Sequence, residues 1–325
     1  MKIAYLMKDE VEVAKVAPPD VQWVQLAARP DKTWDPKELA KLRDVDALMV
    51  WSEPVTPEVI AAAPRLKIVQ RLGAGYDVLL PCFEAARARG IPCCNVEGVN
   101  KETVAEHGML LILALARKLM EMDQHARAAR WPRELRPDNP IFELAGKTLG
   151  IVGLGHTGSE LAKRAQAFRM RIVYNDIREI DPELVRSLEA HFQQKETLFR
   201  EADVISINTD LNATSRGMVN ARLIGLMKPT AILVCCARGG IIDEPALRDA
   251  LNAGTIAGAG IDVFSPEPIR PDNALLSAKN TVLTPHVAGV TGQSITRSYA
   301  WAHENVRRVV ERDEQPRWVV NGLAR

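Results

Sequence analysis

Residues 147–176 read KTLGIVGLGHTGSELAKRAQAFRMRIVYND, and this stretch decides the fold that the sequence predicts. An apolar run at residues 148–152 predicts a short buried strand. Three glycines follow with the spacing G-x-G-x-x-G, and a helical pattern comes after them. A second apolar run, residues 172–174, leads to Asp176. Strand, glycines, helix, strand and acid in this order are typical of a βαβ unit that binds a dinucleotide.

Each glycine of this motif has a mechanical reason to be there. Gly153 permits a tight turn, Gly155 lets the backbone approach a pyrophosphate, and Gly158 lets helix and strand pack closely. The helix N-terminus then presents free N–H groups to the phosphates. Asp176 lies about 20 residues further on, where an acid that binds a ribose is expected. A carboxylate there would repel a 2′-phosphate, so the sequence predicts NAD rather than NADP, although Arg178 is close by. A glycine-rich turn without a ligand is the alternative.

Length and composition limit the possible classes of protein. At 325 residues, with 47% apolar and 26% charged residues, the chain is expected to form two soluble globular domains. A net charge of +1 favours neither nucleic acid nor an anionic membrane as a partner. The N-terminus lacks the apolar core of a signal peptide, and the apolar stretch at residues 109–116 is too short to span a bilayer. We therefore expect a cytoplasmic protein.

The five cysteines have neither the spacing of a disulfide framework nor that of a zinc site. They are Cys82, Cys93, Cys94, Cys235 and Cys236. We interpret them as small apolar residues in a reducing compartment, and the sequence predicts no metal site.

Residues 1–100 alternate between strand and helix patterns, which indicates a parallel sheet with helices on both faces. Predicted strands are residues 3–7, 21–26, 47–51, 67–72 and 91–96, with helices such as 36–42 and 57–63 between them. Gly73-Ala74-Gly75 follows the fourth strand directly. Such a turn can direct backbone N–H groups at an anion, but a simple tight turn explains the spacing equally well.

The second half continues with strands at residues 204–207, 231–234, 257–262 and 281–283, so that six strands are predicted between residues 147 and 285. Before them, residues 102–120 predict one long buried helix, and residues 125–139 predict a loop rich in Arg, Trp and Pro. A last helix, around residues 294–310, has no strand after it and is expected to pack on the first domain.

Residues with the chemistry of hydride transfer follow several of these strands. Ligands of open parallel sheets bind beyond the carboxyl ends of the strands, and Arg238, Asp262 and His286 lie there. Reduction of a carbonyl needs a proton donor and a cation that holds a substrate carboxylate. An imidazole titrates near neutrality, and a guanidinium fork matches a carboxylate. A structural histidine and a surface arginine in a turn are the alternatives.

Glu267 stands between Pro266 and Pro268, in a rigid segment after the predicted strand that ends near Asp262. A carboxylate beside His286 would stabilise the protonated imidazole. The sequence alone does not show this pairing, and an exposed loop glutamate is the alternative.

Together these motifs resemble those of the D-isomer-specific 2-hydroxyacid dehydrogenase family, over nearly the whole chain. The matching segments are GAGYD at residues 73–77, NKETVAEH at 100–107, the glycines with Asp176, ARGGIID at 237–243, DVFSPEP at 262–268 and TPHVAG at 284–289. The resemblance implies an α/β fold of two doubly wound parallel-sheet domains. A Rossmann NAD-binding domain, residues 101–289, would be inserted in a flavodoxin-like substrate domain, residues 1–100 plus 290–325. It also implies a homodimer.

The resemblance further implies roles for individual residues. Arg238 would bind the substrate carboxylate, and Glu267 would tune His286, which transfers the proton. Ala74 and Gly75 would offer N–H groups to the same carboxylate. The positions that match cofactor contacts are Thr103, Gly153, Gly155, His156, Thr157, Gly158, Asp176, Thr209, Cys236, Asp262 and Gly289.

The implied function is transfer of a hydride between NAD(H) and a small D-2-hydroxy acid or 2-oxo acid, such as glyoxylate or hydroxypyruvate. A phosphite dehydrogenase-like enzyme and a non-catalytic, NAD-sensing corepressor-like protein are the alternatives. Departures from the family pattern occur at Leu80, Glu97, Asn208, Asp210 and Cys235. None of them falls on Arg238, Glu267 or His286.

Overall fold

A computed structural model describes residues 1–8, 10–51, 53–131 and 141–323. The chain divides into two units, Met1–Val99 with Thr291–Arg325 and Asn100–Val290. Within the described residues, each unit contains one sheet whose strands are all parallel, which confirms the predicted fold class. None of the helices in these described ranges combines the length and the apolar character needed to cross a bilayer.

The sheet of the first unit has five strands in the order β2-β1-β3-β4-β5, which is the flavodoxin-like order. The strands are β1 (Lys2–Leu6), β2 (Gln22–Leu26), β3 (Ala47–Val50), β4 (Ile68–Arg71) and β5 (Cys93–Cys94). The helices are α1 (Glu10–Val16), α2 (Pro36–Ala40), α3 (Pro57–Ala62), α4 (Phe83–Ala88) and, from the end of the chain, α12 (Gly292–Val310). All four residues of β3 are buried, as expected for a central strand covered on both faces.

Helix α12 begins at a capping box formed by Thr291 and Ser294 and packs on β3 and β4. Its inner face carries His303, whose Nε2 lies 2.7 Å from the Tyr5 hydroxyl of β1. Burial, together with the nearby Arg307 charge, lowers the pKa of His303 to about 4. The folded protein therefore keeps this imidazole neutral at pH values at which an unfolded chain would protonate it.

Acidification should destabilise the first unit through His303. Between pH 6.5 and about 4 the unfolded chain binds a proton there that the folded chain excludes, so the free energy of unfolding falls as the pH falls. The loss amounts to about 3 kcal/mol by pH 4. Urea denaturation at several pH values, on the wild type and on a His303→Phe, Tyr5→Phe double variant, measures it. Equal pH dependence in both proteins would contradict the assignment.

The sheet of the second unit has seven strands in the order β12-β11-β10-β9-β6-β7-β8. The strands are β6 (Thr148–Val152), β7 (Arg171–Asn175), β8 (Ala190–Phe192), β9 (Val204–Ile207), β10 (Ile232–Cys235), β11 (Gly258–Ile261) and β12 (Thr281–Leu283). The helices are α5 (Lys101–Ala116), α6 (Leu119–Arg127), α7 (His156–Ala167), α8 (Pro182–Ser187), α9 (Lys195–Glu201), α10 (Ala221–Ile224) and α11 (Glu244–Asn252). The chain reverses direction across the sheet between β6 and β9, which is the switch point of a Rossmann fold.

Three sequence predictions need correction in this unit. Strand β8 was not predicted, because two of its three residues are exposed and leave no apolar run. The long helix predicted over residues 102–120 ends at Ala116, and Lys118, with φ 48°, separates α5 from α6. Since α6 continues to Arg127, the loop predicted over residues 125–139 is wrong at its start; residues 132–139 lie outside the described residues.

Candidate active site

The glycine turn between β6 and α7 is tightly closed. Gly153 has φ 95°, and a Cβ at this position would lie 2.8 Å from the Asn208 carbonyl oxygen. A Cβ on Gly158 would lie 2.2 Å from the Gly153 carbonyl oxygen. Side chains at either position would therefore force the strand and the helix apart, which confirms the close packing expected of this motif.

Helix α7 begins without a hydrogen bond from a capping side chain. Gly155 is its N-cap residue and offers no side chain to the first N–H groups of this 12-residue helix. Gly155 is half-buried and His156 is exposed. The N–H groups of a first helical turn and the positive end of the helix dipole suit a pyrophosphate, so the residues present fit a dinucleotide.

Asp176 follows β7 and is tied to the glycine turn. Its Oδ2 accepts the Leu154 N–H at 2.9 Å, and its Oδ1 accepts the Arg178 N–H at 2.9 Å. The Asp176 side chain is only 5% exposed, whereas that of Arg178 is 66% exposed. The carboxylate is therefore held beside the turn, at the place where the motif expects a ribose-binding acid.

Most of the other predicted cofactor residues share the carboxyl edge of this sheet. Thr209 follows β9, Cys236 follows β10 and Asp262 follows β11. Thr103 is buried in the first turn of α5, and Gly289 packs against Asn100, whose Nδ2 would lie 2.5 Å from a Cβ at position 289. His156 and Thr157 lie in the first turn of α7.

His286 and Glu267 form a hydrogen-bonded pair, with 2.6 Å between Nδ1 and Oε2. Glu267 Oε1 also accepts the Phe264 N–H at 3.0 Å. Burial raises the pKa of Glu267, but the hydrogen bonds from His286 and Phe264 outweigh it, so this pKa lies below its usual range. An ionised carboxylate only accepts hydrogen bonds, so His286 donates Nδ1–H to it and Nε2 is the nitrogen left for a substrate.

Arg238 lies in the turn after β10, half-buried, and its Nη1 donates to the Ala237 carbonyl. The next residue, Gly239, contacts the loop that carries Glu267, because a Cβ there would lie 1.8 Å from the Phe264 carbonyl oxygen. Strands β10, β11 and β12 are neighbours in the sheet, so the segments that carry Arg238, Glu267 and His286 leave adjacent strand ends. Ala74 and Gly75 belong to the first unit, in the half-buried turn after β4.

Several residues that support the site were not predicted from the sequence. Glu244, buried at the start of α11, accepts the Ser265 N–H at 2.7 Å and the Asn273 Nδ2–H at 2.6 Å. It thereby anchors the loop that carries Glu267, in which the Ser265–Pro266 and Glu267–Pro268 peptide bonds are both cis. His107 and Thr284 also contact each other. Both belong to segments that match the family, but the sequence predicted no role for either residue. The sequence offered one sign of Glu244, namely that this acidic residue follows the ARGGIID segment directly.

Known proteins resemble this chain in sequence and in fold. A family model for the D-isomer-specific 2-hydroxyacid dehydrogenase NAD-binding domain matches residues 109–288. The glyoxylate reductase of Korarchaeum cryptofilum is 38% identical over 286 residues, which are 87% of this chain and 85% of that protein. The glyoxylate reductase of Thermococcus kodakarensis is 41% identical over 269 residues, which are 81% of this chain and 80% of that one.

Among solved structures, an NADPH-dependent glyoxylate/hydroxypyruvate reductase from Sinorhizobium meliloti, in complex with citrate, superposes with a TM-score of 0.84. It is 30% identical in sequence, and the match covers 100% of this chain and 98% of that one.

Proposed function

This chain belongs to the D-isomer-specific 2-hydroxyacid dehydrogenase family, whose NAD-binding domain it contains, and we propose that it reduces small 2-oxo acids such as glyoxylate and hydroxypyruvate to D-2-hydroxy acids. The observation that carries the proposal is the His286–Glu267 pair at the same sheet edge as the glycine turn. The names of the relatives support glyoxylate as a substrate.

NADH, held at the glycine turn of residues 153–158 and beside Asp176, would supply the hydride when bound. Arg238 binds the substrate carboxylate through its guanidinium fork. The substrate-binding role that the family resemblance implies for Ala74 and Gly75 stays a prediction. His286, protonated at Nε2, donates that proton to the carbonyl oxygen as negative charge develops there. Glu267 accepts Nδ1–H, which orients the ring and stabilises its protonated form. In oxidation of the hydroxy acid, neutral His286 takes up the hydroxyl proton.

A substrate panel tests the proposal. NADH oxidation is followed with glyoxylate, hydroxypyruvate and pyruvate, and NAD reduction is followed with phosphite. We expect the highest kcat/KM with glyoxylate or hydroxypyruvate, and a D-configured product where the product is chiral. Turnover of phosphite alone would favour the phosphite-oxidising alternative. NADH binding without turnover of any acid would favour the NAD-sensing alternative.

The choice of cofactor should depend on the charge of Asp176. An Asp176→Asn variant keeps an oxygen that can accept the Leu154 N–H but removes the repulsion of a 2′-phosphate. We expect the ratio of kcat/KM for NADPH to that for NADH to rise about tenfold or more, since one charge contact near a surface is worth more than 1 kcal/mol. Initial rates with both cofactors measure the ratio, and an unchanged ratio would refute this role for Asp176.

We also propose that the protein is a homodimer. Four large apolar side chains on or near α5 and α6 are exposed: Leu110, Leu119, Met120 and Trp131. Met120 also lines an apolar groove, together with Leu115, Phe142 and Val282 among others. A second copy of this chain would cover this surface, and light scattering should give twice the mass of one chain.

We place the protein in the cytoplasm, since its five cysteines form no disulfide.

A further inference from the structure

A chain of polar contacts links helix α5 to the loop that carries His286. His107 Nε2 lies 2.9 Å from Thr284 Oγ1, and the Thr284 hydroxyl donates to Asp262 Oδ1 at 2.6 Å. The His107 side chain is 15% exposed and that of Asp262 is fully buried. The three residues come from α5, the end of β12 and the end of β11.

The geometry determines which nitrogen of His107 carries a proton. A threonine hydroxyl has a single proton, and here that proton lies in the contact with Asp262. The Thr284 oxygen can then only accept from His107, so Nε2 of His107 must carry a hydrogen. His107 therefore acts as a donor, a role that an apolar side chain of similar size cannot fill.

Asp262, at the other end of this chain of contacts, holds the loop around His286. Its Oδ1 accepts the Val287 N–H and its Oδ2 accepts the Ala288 N–H, both at 2.9 Å. Its backbone oxygen accepts the His286 N–H at 2.7 Å. His286 has φ 54°, a left-handed conformation that residues other than glycine adopt at a cost. Such a backbone persists only where its surroundings impose it.

We propose that His107 and Thr284 are positioning residues for the proton-transferring histidine. Neither is proposed to touch the substrate. His107 orients Thr284, Thr284 fixes the Asp262 carboxylate, and Asp262 keeps the backbone of residues 286–288 in place, so that the His286 ring meets Glu267 on one side and the substrate on the other. This inference rests on the proposed function of His286. It explains why three polar side chains contact one another at buried or half-buried positions, which apolar side chains could also fill.

Matched variants test the proposal. His107→Leu and Thr284→Val remove the contact, whereas His107→Gln and Thr284→Ser keep a donor and a hydroxyl. We expect the first two variants to lower kcat for glyoxylate about 10- to 100-fold, with KM for glyoxylate changed about twofold or less, because misplacement of a catalytic group affects the chemical step. The Gln and Ser variants should retain most of the activity. The His107→Leu, Thr284→Val double variant should be no slower than the slower single variant, because both changes break one path.

Two results would overturn the proposal: equal losses in His107→Leu and His107→Gln, or single effects that multiply in the double variant. A second measurement does not depend on turnover. Nitrogen-15 NMR of the histidine side chains in the wild type should show a proton on His107 Nε2, and the Nδ1–H tautomer alone would refute the network. If the wild type reduced no 2-oxo acid, the proposed function would fail, but the NMR result would still decide whether this network exists.

Discussion

Replacing His286 with alanine should lower kcat for the reduction of glyoxylate by NADH about 10²- to 10⁴-fold, the usual contribution of a general acid. The imidazole is the only group we assign to proton transfer, and its Nδ1 is already engaged by Glu267 at 2.6 Å. Without the ring, the developing alkoxide must take its proton from water. Steady-state kinetics at saturating NADH measure the loss, and a fluorescence titration should show that NADH still binds.

The matched control is His191→Ala, which removes an exposed histidine from β8 at the far edge of the same sheet. This variant should keep wild-type turnover. If a folded His286→Ala protein turned over glyoxylate at near wild-type rates, His286 would not be the general acid. The function proposed for the His286–Glu267 pair would then be wrong.

Replacing Arg238 with alanine should lower kcat/KM for glyoxylate about 10- to 100-fold, because a hydrogen-bonded charge contact contributes about 1.5–3 kcal/mol. We expect the defect mainly in KM for the 2-oxo acid, with little change in NADH affinity. Arg238→Lys should recover part of the loss, since an ammonium keeps the charge but lacks the two-pronged geometry of a guanidinium. Initial rates over a range of glyoxylate concentrations separate these effects.

Arg222→Ala is the control for this prediction, because Arg222 is exposed on α10 and pairs with Glu196 on the surface. Its kinetic constants should stay at wild-type values. An Arg238→Ala protein with unchanged KM and unchanged kcat would show that some other group holds the carboxylate.

The parts of the fold that the sequence predicted well are those with a strong local pattern. Strand β6 has the predicted bounds, because a strand buried on both faces is a continuous apolar run. The topology of parallel strands then places the residues that follow β10, β11 and β12 at one edge. This is why Arg238, Asp262 and His286 could be grouped from the sequence before any contact was known.

Contacts between distant segments had no such pattern. Glu267 and His286 are separated by 19 residues, and His107 and Thr284 by 177, so neither spacing reports a hydrogen bond. His286 has a left-handed backbone conformation, but the sequence does not indicate it, because no glycine stands at this position. The break at Lys118 was not visible in the sequence either, since Leu115 before it and Leu119 and Met120 after it continue a helical pattern.

Gly239 has a consequence for attempts to redesign this enzyme. Because Gly239 has no side chain, the backbone segment that carries Arg238 can contact the backbone of the loop that carries Glu267. Any larger residue would push these segments apart and alter both at once. Libraries aimed at new substrates should therefore keep this glycine constant and vary positions further away, where a larger side chain does not displace the segments of Arg238 and Glu267.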